Sequence, residues 1–147
     1  VRLSSLPTLA DDSGLEVMAL GGAPGVRSKR WAAVVGTPAE VDAGNNAELL
    51  RRLAGLPEAQ RAARYRCVLV FLRTAGAVPI VSYGDCTGRI LEEPRGNGGF
   101  GYDPLFFSDE LGKTFGEASA QEKDAVSHRG RALRAFAHAL KGSIQAV

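Results

Sequence analysis

"RYRCVLVFLRT", residues 64–74, is the stretch on which the fold turns. Val68, Leu69, Val70, Phe71 and Leu72 form an unbroken apolar run, as expected of a mid-sheet strand covered on both faces. Downstream, "AVPIVSYGDCTGRILEEP", residues 77–94, reads as two shorter strands broken by Gly84 and Gly88, with Pro79 marking an edge or a strand start. Upstream, Thr37, Pro38 and Glu40 are the N-cap, first position and capping-box partner of a helix that stops before Gly55, with Val41, Leu49, Leu50 and Leu53 for its buried face. A second capping box, Ser119 to Glu122, opens a short helix. A longer one follows to about Lys141, with Leu133, Phe136, Ala137 and Leu140 at helical spacing and Ser127 as its cap. No repeat or linker divides the 147 residues, so the expectation is a single α/β domain over 1–147, mixed because the strands from residue 64 onward are consecutive.

Composition narrows the functional classes. A 45% hydrophobic and 23% charged chain is that of a folded globular protein. The formal charge is only +2 and the 18 Lys and Arg are dispersed, which argues against a nucleic-acid duplex as partner. No apolar run approaches the about 20 residues that cross a bilayer, so no membrane partner is expected and the cytoplasm is the expected location. Cys67 and Cys86 lack metal-ligand spacing and read as reduced thiols.

Three stretches carry candidate chemistry. In "LADDSGLEV", residues 9–17, Asp11 and Asp12 stand side by side at what reads as a strand end, ahead of Ser13 and Gly14. Adjacent carboxylates repel, and partial burial raises the cost unless a cation offsets it. Mg²⁺ takes one or two carboxylates together with substrate phosphates and water, which suits such a pair. Taken alone, the stretch is more often a turn with a solvated acidic face.

"RGNGGFGYDPLFF", residues 95–107, contains Gly96, Gly98 and Gly101 in a G-x-G-x-x-G arrangement. Glu92, Glu93 and Pro94 precede it where a strand should end, and Pro104 follows where a helix should begin, so the stretch is a loop and not a dinucleotide fingerprint. Its glycines let backbone approach a ligand, and Phe100 and Tyr102 offer faces for stacking; a tight hairpin with core aromatics fits the residues equally. In "SAQEKDAVSHRGRAL", residues 119–133, Lys123, His128 and Arg129 gather at a helix junction whose amides favour an anion. A solvated basic helix start accounts for that stretch by itself. Together, the acids, the aromatic loop and the cationic junction match the metal, base and charge of a nucleoside polyphosphate.

"ADDSGLEV" with "LGGAPGV", then "GGFGYDPLF", then "SAQEKDAVSHRGRAL", resemble in order the signatures of the inosine triphosphate pyrophosphatase family over nearly the whole chain. The resemblance implies a bent mixed sheet with helices on two lobes around a nucleotide cleft, usually in a homodimer. It implies Mg²⁺-dependent hydrolysis of ITP, dITP or XTP to the monophosphate and pyrophosphate. Asp12 aligns with the catalytic acid, which would activate water and also bind the metal, and Asp11 with a metal ligand or its partner. Ser13, Phe100, Gly101, Tyr102, Asp103, Lys123, His128 and Arg129 align with substrate-binding residues. Hypoxanthine and xanthine carry an oxygen acceptor where adenine carries an amino donor, so N–H donors or cations at His128 and Arg129 would favour the former.

There are departures from the family pattern. No S/T-x-N-x-x-K segment precedes the acidic motif, Met18 stands where an acid is common, and Trp31 where tyrosine is usual. The expectation is therefore an N-terminally truncated member lacking the phosphate-gripping turn. The alternative is a truncated member that binds nucleotide or assembles with a partner but turns over little, because phosphoryl transfer depends on positioning and charge stabilisation.

Overall fold

The computed structural model describes residues 1–145. Six strands form one sheet: β1 (Thr8–Val17), β2 (Pro24–Gly25), β3 (Ala62–Leu72), β4 (Ile80–Ile90), β5 (Phe106–Ser108) and β6 (Lys113–Thr114). Their order is β2-β1-β3-β4-β5-β6, with α1 (Pro38–Arg52), α2 (Ala120–Val126) and α3 (His128–Gln145) completing an α/β fold. All five pairings are antiparallel, so the parallel component of the expected mixed sheet is absent among the described residues. Short turns join β3 to β4 and β5 to β6, and a short turn returns a chain only antiparallel.

Residues 80–90 form one continuous strand, not two. The glycines serve close approach instead of ending the strand. A Cβ on Gly84 would lie 2.0 Å from the carbonyl oxygen of His128 and 2.5 Å from the amide nitrogen of Ala132; one on Gly88 would lie 2.1 Å from the carbonyl oxygen of Phe107. Gly84 thus lets the first turns of α3 rest on the sheet. That contact fixes the rotation of α3: Ala132 is fully buried and Phe136 packs on Phe71 at 5.4 Å between ring centres. Leu133 and Ala137, expected on the buried face, are exposed.

The capping boxes of α1 and α2 are both formed, Thr37 with Glu40 and Ser119 with Glu122. Ser127 Oγ accepts the Gly130 N–H at 3.1 Å and caps α3. Leu49 of α1 and Leu53, which caps its C-terminus, are fully buried in one core with Leu15 and Val17 of β1, each contributing about 1.5–3 kcal/mol. Val41 and Leu50 are only half-buried. At the sheet centre Tyr65, Phe106 and Phe115 pack as one aromatic group, with centroids 4.7 to 6.0 Å apart.

β3 differs from the two-sided strand that its apolar run suggests. Its residues alternate between buried and half-buried because α3 and the core cover one sheet face only. The paired residues Asp12, Val68 and Tyr83 share the other face, as do Ala10, Val70 and Val81. There Tyr83 is 61% and Val81 40% exposed.

Candidate active site

β1 sets the positions of the two acids. They lie within the strand, opposite Leu69 and Val68 of β3, and not in a turn or at its end. Successive side chains of a strand point to opposite faces, so Asp11 and Asp12 diverge and do not form the convergent pair that the sequence suggests. Asp11 faces α3. Its Oδ2 accepts from Arg129 Nε at 2.8 Å and its Oδ1 from Arg129 Nη2 at 3.3 Å, while Cys67 Sγ lies 3.5 Å away. The Arg129 hydrogen bond holds the Asp11 carboxyl below its usual range and raises the guanidinium pKa in return. Cys67 and Cys86 are both free and buried, and burial pushes both thiols up. Cys86 sits inside β4 instead of a turn.

Asp12 lines a separate shallow cleft of about 250 Å³ on the other face, with Glu16, Val26 and Arg66 among its neighbours. Ser13 and Gly14 border both clefts. Ser13 Oγ lies 3.4 Å from Arg129 Nη2. A side chain at Gly14 would meet the Gly25 carbonyl oxygen at 2.5 Å, so glycine keeps β2 close.

The other predicted residues converge. Phe100, Gly101, Tyr102, Asp103, Lys123, His128 and Arg129 line one cleft of about 210 Å³ with Ser13, closed on the far side by Ser28, Lys29, Asp42 and Asn45 and floored by Tyr65. The helical parts of the two walls are α1 on one side and the α2–α3 junction on the other, with the aromatic loop between them. The volume is below the about 300–1,000 Å³ typical of pockets for drug-sized ligands, so the cleft suits a ring system with the rest of its molecule outside.

Within the loop, Asp103 is 2% exposed and acts as an anchor. Its Oδ2 accepts the Phe100 N–H at 2.7 Å and also the Lys123 ammonium. Burial raises its carboxyl pKa and the Lys123 charge opposes that rise. Gly99 has φ +71°, and a Cβ there would strike Asp103 Oδ2 at 2.1 Å, so only glycine permits this turn. Lys123 Nζ stands 4.5 Å from the Phe100 ring centre, and that ring is 62% exposed. Tyr102, in contrast, is buried and donates its hydroxyl to the Ser28 carbonyl at 2.8 Å. It braces the loop and offers no open stacking face.

His128 stacks on Tyr65, with ring centres 4.6 Å apart and 11° between planes. Burial, aided by the charges of Arg129 and Lys123, lowers its pKa to about 4. The imidazole is therefore neutral at pH 7, and the cations of the cleft are Lys29, Lys123 and Arg129. Its Nδ1 is buried without a hydrogen-bond partner. A buried unpaired ring nitrogen in a cleft wall is a vacant polar contact for a ligand.

Four wall residues escaped the sequence reading. Asn45, 2% exposed, accepts the Ala32 N–H at 2.8 Å and donates to the Lys29 carbonyl at 3.2 Å. It stands one helical turn before Leu49 and two before Leu53 in the buried stripe, and a polar residue in that register is the available signal. Asp42, Ser28 and Lys29 gave no such signal, because charged and hydroxyl residues near a helix start are ordinary.

A family model described as the Ham1 family matches residues 1–139. The chain belongs to the Ham1 family. It is 52% identical over 141 residues to the dITP/XTP pyrophosphatase of Ralstonia nicotianae, covering 95% of this chain and 69% of that one. It is 48% identical to the dITP/XTP pyrophosphatase of Shigella flexneri, with coverage of 95% and 70%. Among solved structures, the Ham1 protein of Coxiella burnetii superposes with TM-score 0.85 at 39% identity, covering 95% of this chain and 69% of that one. The Ham1 protein of Staphylococcus aureus gives TM-score 0.87 at 34% identity, with 97% and 71% covered. This Ham1 chain thus spans about seven tenths of each relative's length. No helix of its described residues is long and apolar enough to cross a membrane.

Proposed function

We propose that this Ham1 chain hydrolyses non-canonical purine nucleoside triphosphates, of the dITP, ITP and XTP class, to the monophosphate and pyrophosphate. The observation that carries the reading is a cleft that gathers Phe100, Lys123, His128 and Arg129 in a chain about half identical to two dITP/XTP pyrophosphatases. The purine lies against Phe100, within reach of neutral His128. The Arg129 N–H groups and one His128 nitrogen favour a base bearing an oxygen at position six. An amino group there would face donors, and an unpaired buried polar group costs about 1–3 kcal/mol, enough for tens-fold discrimination.

Water attacks the α-phosphorus, the bond to the bridging oxygen breaks, and pyrophosphate leaves with that oxygen. Asp12 takes the proton from the attacking water. The exposed Asp12 carboxylate also fits Mg²⁺, which binds mainly to substrate phosphates and water and needs only one or two protein carboxylates. Among the described residues no group of three or more His, Cys, Asp or Glu side chains is placed to hold a metal ion. When bound, Mg²⁺ offsets phosphate charge. Asp11, which the resemblance aligns with a metal ligand or its partner, holds Arg129 through two hydrogen bonds. Lys123 and Lys29 balance the charge of the nucleotide, and Ser13 lies between the two clefts.

A cytoplasmic location and a homodimer belong to the same proposal, the open sheet face bearing Val81 and Tyr83 being a surface a second copy could cover. A second reading, nucleotide binding with little turnover, is favoured by the divergence of Asp11 from Asp12. Pyrophosphate release from dITP, XTP and ATP with Mg²⁺ decides between them. Release from dITP and XTP that Asp12→Asn abolishes supports hydrolysis; binding of inosine monophosphate without release supports the second reading.

A further inference from the structure

Gly101 is held from outside its own loop by two side chains one helical turn apart on α1. Asp42 Oδ2 accepts the Gly101 N–H at 2.8 Å, and Asn46 Nδ2 donates to the Gly101 carbonyl at 2.9 Å. Both polar groups of one residue are thereby tied to one face of α1, across 59 and 55 positions of sequence. Gly101 has φ +62°, a left-handed conformation that leaves the loop with few alternatives once these bonds are made. Asp42 Oδ1 meanwhile pairs with Lys29 Nζ at 2.7 Å, so the same carboxylate links the loop to Lys29 on its own side of the cleft. Asn46 keeps its Oδ1 buried without a partner. An apolar residue would avoid that cost, which makes the Gly101 bond the evident reason for an amide at this position.

Inside the loop Asp103 fixes the Phe100 amide, but nothing in that arrangement fixes the distance between the loop and α1. The α1 clamp does so. Since Phe100 is the neighbour of Gly101 and the exposed ring of the cleft, the clamp sets the width of the slot in which a ring can stack.

We infer that Asp42 and Asn46 are positioning residues that clamp the Gly101 peptide and thereby set the slot beside Phe100 for the purine. The inference rests on the proposed function for the identity of the ring, and on geometry alone for the clamp. Two charge-assisted or buried bonds of this kind correspond to about tenfold or more in affinity.

The test compares Asp42→Ala, Asn46→Ala, the double variant and Asp42→Asn. Hydrogen exchange is read across residues 99–103 and across α1, inosine monophosphate affinity by calorimetry, and KM and kcat with dITP. The expected result in the double variant is faster exchange confined to the loop, with affinity for the monophosphate down and KM up about tenfold and kcat changed far less. Asp42→Asn retains an acceptor for the Gly101 amide and restores most of the loss. Unchanged loop exchange, or exchange that rises equally throughout α1, overturns the clamp. If Asp42→Asn is as damaged as Asp42→Ala, the Lys29 ion pair and not the Gly101 bond is responsible, and the proposal fails. Should the unsubstituted protein release no pyrophosphate while loop exchange still responds as expected, the reaction is refuted and the clamp stands.

Discussion

Arg129, in the first turn of the last helix, grips Asp11, in the first strand, through two N–H···O contacts across 118 residues of sequence. This pair ties the α3 side of the cleft to the sheet. It also accounts for a carboxylate on the covered face, because the guanidinium supplies the compensating charge.

Replacing Arg129 with alanine leaves Asp11 unpaired and removes an N–H donor from the cleft. The expected outcome is a fall of at least about tenfold in the preference for ITP over ATP. Arg129→Lys does not restore it, since an ammonium cannot reproduce the fork. Steady-state kinetics on both nucleotides checks this; unchanged selectivity removes Arg129 from base reading.

His128 makes stability depend on acid. Its pKa is depressed from 6.5 in the unfolded chain to about 4 in the fold. Between those values the unfolded chain binds more protons, so stability is full above about pH 6.5 and declines as the pH falls towards 4. The loss is of order 3 kcal/mol. Urea denaturation from pH 4 to 7 measures it, and His128→Gln should flatten the slope in that window.

Gly84 transmits strand geometry to the site. Gly84→Ala pushes α3 off β4, because the new methyl would lie 2.0 Å from the His128 carbonyl oxygen. A cost of about 1–3 kcal/mol is expected from denaturation curves, with nucleotide affinity falling as well because His128 and Arg129 move with the helix.

The starts of α1 and α2 were legible because capping boxes are local chemistry: Thr37 with Glu40 and Ser119 with Glu122 stand as the residues predict, while α3 runs to Gln145, beyond the expected end near Lys141. Eight members of the cleft, Ser13, Phe100, Gly101, Tyr102, Asp103, Lys123, His128 and Arg129, were legible as motifs, whereas Ser28, Lys29, Asp42 and Asn45 were not. What a one-dimensional pattern could not supply was side and distance. Asp11 and Asp12 look like a pair in sequence, yet the period of two in a strand separates them. Gly84 and Gly88 look like breaks, yet each accommodates a neighbour that only the tertiary fold brings near. The neutrality of His128 follows from burial against Tyr65, and the Gly101 clamp from contacts more than 50 positions apart, neither of which a local reading contains.

In the proposed reaction an exposed Asp12 on one sheet face works with a purine cleft on the other, joined through Ser13. The most direct measurement is pyrophosphate release from dITP, XTP and ATP with and without Mg²⁺, beside Asp12→Asn and Asp11→Asn. Release from dITP and XTP is expected well above ATP, dependent on Mg²⁺, abolished by Asp12→Asn, and only weakened by Asp11→Asn through the loss of its hold on Arg129. Release that survives Asp12→Asn, or that shows no preference between dITP and ATP, would contradict it.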